Sequence, residues 1–159
     1  MSNIKDKIKF VNYNIDFLNH SWKWLQDSEI KKLTNTPSFT QQQQQEWFLS
    51  LKLKSDYFIR GIKYNKKMIG VVGLKNITKT LGEYWGYIGE KEYWGKGIGK
   101  EMISYIINIA KEKDLKIIYL KVNSSNKRAI RLYEKEGFFL NKEKSTTESL
   151  YMEYILAVN

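Results

Sequence analysis

The sequence predicts an α/β (α+β) sandwich around one central mixed, mostly antiparallel sheet flanked by helices, and three observations predict it. Apolar residues recur at helical spacing up to Leu51, the period shortens to two from Tyr57, and a strand, a helix and a second strand follow one another between Leu81 and Val122. The 159 residues suffice for one domain with a full core. No Pro/Gly/Ser-rich linker divides them, so a single domain over 1–159 is expected.

Ile15, Leu18, Trp22 and Leu25 share a helical stripe, and Asp27-Ser28 caps a short second helix carrying Ile30 and Leu33, so a helical hairpin is expected to open the fold. After the only proline, Pro37, the pair Thr40 and Gln43 reads as a capping box for a helix through Trp47, Phe48 and Leu51. Gln41–Gln45 is then a solvated helix face. Tyr57–Tyr64 and Met68–Leu74 flank Asn65-Lys-Lys as a hairpin, and a third strand, Leu81–Gly89, alternates Glu83, Trp85 and Tyr87 with Tyr84, Gly86 and Ile88. The next helix has an apolar stripe of Ile98, Met102, Tyr105, Ile106, Ile109 and Ala110. Lys116–Val122 completes a strand–helix–strand crossover whose two strands should be parallel neighbours. A last helix from Asn126 turns Ala129, Leu132 and Tyr133 inward and ends at Gly137; Phe138–Leu140 and Leu150–Ile155 close the sheet.

Composition removes several chemistries. With no cysteine there is no disulfide framework, thiol nucleophile or cysteine metal site, and no metal is expected. The single histidine, His20, lies in an ordinary helical stretch and reads as a partly exposed helix residue, which argues against a Ser-His-Asp triad. The first residues are polar and no segment is long and apolar enough to span a bilayer, so the expectation is a cytoplasmic protein without a membrane partner. A net charge of +10 is spread over every segment, which argues against a nucleic-acid footprint and suits a polyanionic cofactor.

The stretch Glu90-Lys-Glu-Tyr-Trp-Gly-Lys-Gly-Ile-Gly-Lys100 carries glycines at 95, 97 and 99 directly before a helix. Alternating glycines let successive N–H groups face one concavity, and the helix start adds its positive dipole end, which together form an anion cradle. The Walker A pattern fails at Trp94 and Glu101, and the dinucleotide Gly-x-Gly-x-x-Gly spacing is absent.

Gly89, Tyr93-Trp-Gly-Lys-Gly-Ile-Gly99 and, after a helix and a strand, Asn126-x-x-Ala129-x-x-Leu132-Tyr133-x-x-x-Gly137-Phe138 resemble the GNAT acetyltransferase superfamily over about Tyr57 to Ile155. Trp94 stands where that family usually has Gln or Arg. The resemblance implies the GNAT fold, in which the strand ending at Gly89 and the strand Lys116–Val122, the fourth and fifth of that fold, splay apart. It also implies acetyl-CoA as cosubstrate, with its pyrophosphate on Gly95, Lys96, Gly97, Ile98, Gly99 and Lys100. The pantetheine arm would lie along Tyr87, Ile88 and Gly89, and Asn126 would approach it.

Acetyl transfer to an amine needs a deprotonated amine, a polarised carbonyl and a protonated leaving thiolate. The resemblance implies Tyr133 as the acid, and Glu83, on the strand leading to the loop and sharing a face with aromatic residues, is the candidate base, acting directly or through water. Its aromatic surroundings are expected to raise its pKa. A strand N–H near Tyr87 or Ile88 would polarise the carbonyl. Acceptor specificity would come from Trp22, Trp24, Trp47, Tyr57 and Trp85. The segment from Trp24 to Leu33, followed by Trp47, resembles the branch of ribosomal-protein N-terminal acetyltransferases and amino-sugar-nucleotide acetyltransferases. The expected acceptor is a small-molecule amine, here a nucleotide-linked amino sugar. The alternatives are a protein N-terminus, another small amine, and a non-catalytic acetyl-CoA- or RNA-binding module; a monomer or homodimer is expected.

Overall fold

In a computed structural model, residues 3–156 are described, and their strands hydrogen-bond into one seven-stranded sheet in the order β1-β2-β3-β4-β5-β7-β6. These are β1 (Ile8–Asn12), β2 (Phe58–Tyr64), β3 (Lys67–Lys75), β4 (Leu81–Ile88), β5 (Ile117–Asn123), β6 (Phe139–Leu140) and β7 (Ser149–Ile155). The helices are α1 (Ile4–Lys7), α2 (Ile15–Trp24), α3 (Ser28–Thr34), α4 (Gln41–Ser50), α5 (Ile98–Glu112) and α6 (Lys127–Lys135). The chain divides into two compact units, Met1–Gly73 with Gly86–Ile98 and Leu74–Trp85 with Gly99–Asn159. Among the described residues no helix is long and apolar enough to cross a membrane.

The first unit opens on the single-turn helix α1 and the strand β1, not on the expected helical hairpin. β1 pairs antiparallel with β2, from Ile8 opposite Tyr64 to Asn12 opposite Arg60. Five residues, of which Lys9 and Asn12 are polar, carry too little alternation to be read alone, and their partner lies some fifty residues on. The stripe of α2 is also rotated from the expected one: Phe17, Leu18, Ser21 and Trp24 are buried, whereas Ile15 is 53 % exposed. Phe17 fixes that rotation, because Gly61 on β2 has no side chain and a Cβ there would lie 2.3 Å from the Phe17 ring. The caps fall where the sequence places them. Asp27 Oδ1 accepts from the N–H groups of Glu29 and Ile30, and Thr40 and Gln43 form the reciprocal capping box of α4. Asn65, with φ of 55°, makes the left-handed turn between β2 and β3.

The second unit holds the parallel crossover. Leu81, Gly82 and Glu83 face Ile117, Ile118 and Tyr119; that ladder ends at the third pair although β4 continues to Ile88 and β5 to Asn123. β7 pairs antiparallel with β5 on one side and with β6 on the other. Met102, Ile103, Ile106 and Ala110 of α5, Ile118, Leu120 and Val122 of β5, Ile130, Phe138 and Met152 form its core. Ile103 and Ile130 thus take the inward places assigned from the sequence to Ile109 and Ala129, which are half-buried. Gly137, with φ of 103°, ends α6 in the left-handed conformation as expected, and Phe138 N donates to the Tyr133 carbonyl at 2.9 Å.

Candidate functional site

The glycine loop is built from the end of β4 outward. Gly89 N donates to the Ile69 carbonyl at 2.7 Å, a single 3-10 turn over Lys91–Tyr93 follows, and Trp94 Nε1 donates to the Ile88 carbonyl at 2.9 Å. Trp94, where the family resemblance led one to expect Gln or Arg, therefore uses its indole N–H to close the loop on its own strand. The same two bonds engage Gly89 N–H and Ile88 C=O, backbone groups expected to meet a cofactor arm.

The three glycines have separate jobs. Gly95 and Gly97 sit in the left-handed region at φ of 75° and 83°, an alternation that turns successive N–H groups to one side. A Cβ at Gly97 would meet nothing within 4 Å, so the space above it is open. At Gly99, by contrast, a Cβ would lie 2.6 Å from Leu132 Cδ2, which makes it the close-approach glycine of α5 against α6. Lys96 places its ammonium 5.7 Å from the Tyr93 ring centroid, and the first turn of α5 adds free N–H groups and a positive dipole end. Two left-handed glycines, Gly97 under open space and Lys96 between them, are a donor set that fits a diphosphate.

Glu83, in the second unit, is 7 % exposed. Its Oε1 accepts from Asn76 Nδ2 at 3.1 Å, its Oε2 lies 3.8 Å from Lys75 Nζ, and its charge acts on the nearby Tyr119 phenol. Burial and the Glu83 charge push Tyr119 up to about 12. The neighbours of Glu83 are thus polar donors from β3, the β3–β4 loop and β5. Asn76, in left-handed backbone at φ of 51°, was not legible as a partner, since nothing in a loop asparagine announces which carboxylate it will reach.

Tyr133 packs edge-on to Tyr84, with centroids 6.1 Å apart, and 5.8 Å from Phe138; burial pushes its phenol up to about 12. Asn126 caps α6, its Oδ1 accepting from Ala129 N at 3.3 Å.

Of the five aromatic residues expected to bind the acceptor, the structure brings Trp47 and Tyr57 together at 6.3 Å. Tyr13, which sequence reasoning missed, is the hub: its ring lies 6.0 Å from Trp47, 6.1 Å from Phe48 and 5.9 Å from Phe17, and its hydroxyl donates to Ser21 Oγ at 2.9 Å. Burial raises the Tyr87 phenol, and Ser21 also acts on it, lowering it. Trp22 is elsewhere, edge-on to Phe39, and Trp85 is half-buried on β4. Burial pushes the Tyr13 phenol up to about 12 and those of Tyr57 and Tyr87 higher, so this cluster presents neutral hydroxyls.

These phenols give a stability prediction. In the unfolded chain they ionise near 10.0, in the folded chain Tyr13 and Tyr133 at about 12. Their contribution is therefore complete below pH 10 and is lost as pH rises toward 12, by about 1.4 kcal/mol per pH unit for each phenol. Thermal melts between pH 9 and 12 should show Tm falling steeply past pH 10, and Tyr133→Phe should flatten that fall.

The acetyltransferase (GNAT) family profile matches residues 19–138. The chain belongs to this family. Its most similar curated relatives include a probable spermine N(1)-acetyltransferase of Bacillus subtilis subsp. natto, 44 % identical over 55 residues, which are 34 % of this chain and 36 % of that protein. The chain spans only 22 % and 36 % of the length of the first two curated relatives it matches. Among solved structures, the Campylobacter jejuni N-acetyltransferase PseH is 21 % identical with a TM-score of 0.74, covering 95 % of this chain and 99 % of that one. The Vibrio cholerae spermidine N-acetyltransferase in complex with CoA and spermine is 18 % identical with a TM-score of 0.83, covering 95 % and 96 %. GNAT enzymes take their acetyl group from acetyl-CoA, and PseH has been solved in complex with it.

Proposed function

We propose that the chain works as one acetyl-CoA-dependent N-acetyltransferase domain whose acceptor is the primary amine of a nucleotide-linked amino sugar. The donor half of the reading is carried by the left-handed Gly95 and Gly97, the latter under open space, just before α5. When bound, acetyl-CoA supplies an acetyl thioester; the new bond is N–C and the bond that breaks is C–S. Glu83 takes a proton from the acceptor ammonium, directly or through water, so that the nitrogen lone pair is free to attack. Tyr133 gives its phenolic proton to the departing thiolate. With an ordinary thiol pKa of about 8.5, that transfer has to accompany departure. The second proton lost by the acetylated nitrogen restores the phenol.

The acceptor half rests on the hydroxyl-bearing aromatic cluster of Tyr13, Ser21, Trp47, Tyr57 and Tyr87, which suits the apolar ring faces and hydroxyls of a sugar. A polyamine is the second reading, favoured by the likeness to the Bacillus enzyme. It needs carboxylates to hold its ammonium groups. Of the carboxylates in this unit, Asp27 and Glu29 are bridged by Lys91, Glu92 is bridged by Lys67 and Glu90 accepts from the Trp24 indole, which leaves fewer to hold a polyamine.

Incubating the protein with acetyl-CoA and, in turn, amino-sugar nucleotides, polyamines, aminoglycosides and peptides, while following free thiol, tests both halves. Fastest release with an amino-sugar nucleotide is expected. Faster release with spermidine would overturn the acceptor assignment, and release with none of them, alongside tight salt-sensitive RNA binding, would favour the binding module.

A further inference from the structure

We propose that Trp24 is a positioning residue that holds the cofactor loop in place from helix α2, with Lys91 as its second anchor; the proposal rests on the acetyl-CoA reading of that loop. The contact is unusually close. A Cβ at Gly89 would lie 2.1, 2.2 and 2.6 Å from three atoms of the Trp24 indole, so the ring lies directly on the backbone where β4 turns into the loop. Trp24 is 6 % exposed, and its Nε1 donates to Glu90 Oε1 at 3.1 Å, the next residue along. One residue further, Lys91 Nζ meets Asp27 Oδ2 and Glu29 Oε1, both at 2.9 Å.

Three successive loop residues are thus held by α2 and the start of α3. Asp27 can serve twice because its two oxygens divide the work: Oδ1 caps α3 and Oδ2 takes the lysine. Hydrogen bonding to Lys91 holds the Asp27 carboxyl below its usual range, and the same bond raises Lys91. Both therefore stay charged across neutral pH. Six residues beyond Gly89 the left-handed glycines begin, so a shift of the anchored turn carries the donor N–H groups with it.

Trp24 has a second neighbour. Its ring lies edge-on to Tyr87 at 6.2 Å, and the Tyr87 phenol feels Ser21 and Tyr13 of the aromatic cluster assigned to the acceptor. One indole therefore touches both the cofactor loop and the acceptor cluster. Its position couples them, and by linkage such a coupling is reciprocal: acceptor tightens CoA as much as CoA tightens acceptor.

The test uses Trp24→Phe, which keeps an aromatic ring on Gly89 but removes the N–H donor, and Lys91→Gln, which removes both ion pairs at a partly exposed site. CoA binding is measured by calorimetry, with and without acceptor, alongside steady-state kinetics. Both variants are expected to raise the KM for acetyl-CoA and the Kd for CoA by about five- to tenfold, as loss of a charge-assisted hydrogen bond would. At saturating acetyl-CoA kcat should change less than twofold. Acceptor should tighten CoA in the unaltered protein and not in Trp24→Phe.

Unaltered protein that binds CoA, with both variants matching it, overturns the positioning role alone. Unaltered protein that gives no CoA heat overturns the acetyl-CoA reading itself. If Trp24→Phe fails to fold by circular dichroism, Lys91→Gln decides, a raised KM supporting the role and an unchanged one overturning it. An equal fall in kcat and kcat/KM in both variants would place these residues in the chemistry and also overturn it.

Discussion

Tyr133→Phe and Glu83→Gln are each expected to lower kcat by about 10²–10⁴-fold while leaving CoA affinity within about twofold. The phenylalanine variant is the cleaner of the two. The contacts of the Tyr133 ring with Tyr84 and Phe138 are unaffected by loss of the hydroxyl, so a fall in turnover reports the missing proton. Because the phenol stays protonated up to about 12, the kcat profile of the unaltered enzyme should show no basic limb from Tyr133 below pH 10. Glu83→Gln retains volume and an oxygen for Asn76 but turns an amide toward Lys75 or Tyr119. It should also cost about 1–3 kcal/mol in stability, so its kinetics are measured well below its own Tm. Thiol release at saturating acetyl-CoA is the measurement, and turnover within twofold of the unaltered protein in both variants would sink the two assignments.

The glycine loop and the crossover around it were legible because both are local. Positions 95, 97 and 99, the helix that follows and the parallel strand after it lie within thirty residues, and their spacing survives folding unchanged. Capping is local too, hence Asp27, the Thr40–Gln43 box and Gly137. Contacts between distant segments were not legible. β1 needed β2 to declare itself, the rotation of α2 needed the bare backbone at Gly61, and the donors around Glu83 come from residues seven before and thirty-six after it. Beside the aromatic ring of Tyr119, Glu83 meets Asn76 and Lys75, two polar partners that its own strand does not announce. The tryptophans split for the same reason, since composition gives a ring but not the surface it will cover: Trp47 joins Tyr57, Trp22 joins Phe39, and Trp24 covers Gly89.

Three glycine substitutions should give three different outcomes, and the pattern distinguishes a cradle from a turn. Gly97→Val forces a β-branched residue to φ of 83° and puts its side chain into space that is open in the protein. The backbone strain is roughly 1–2 kcal/mol, a fall in Tm of about 3–6 °C. The larger effect is on the donor: with the concavity filled, the Kd for CoA should rise at least about 100-fold, while acceptor binding measured alone is unchanged. Gly89→Ala acts on the other account, because its Cβ would lie 2.1 Å from the Trp24 indole. Overpacking there should destabilise the fold by about 1–3 kcal/mol and disturb CoA binding only through the displaced loop. Gly99→Ala meets the movable end of Leu132 and should be the mildest for both readouts. Calorimetric titration of CoA into each variant, beside its melting curve, measures the two effects separately. If Gly97→Val binds CoA as the unaltered protein does, the pyrophosphate does not sit on this loop, and its left-handed glycines serve only the turn.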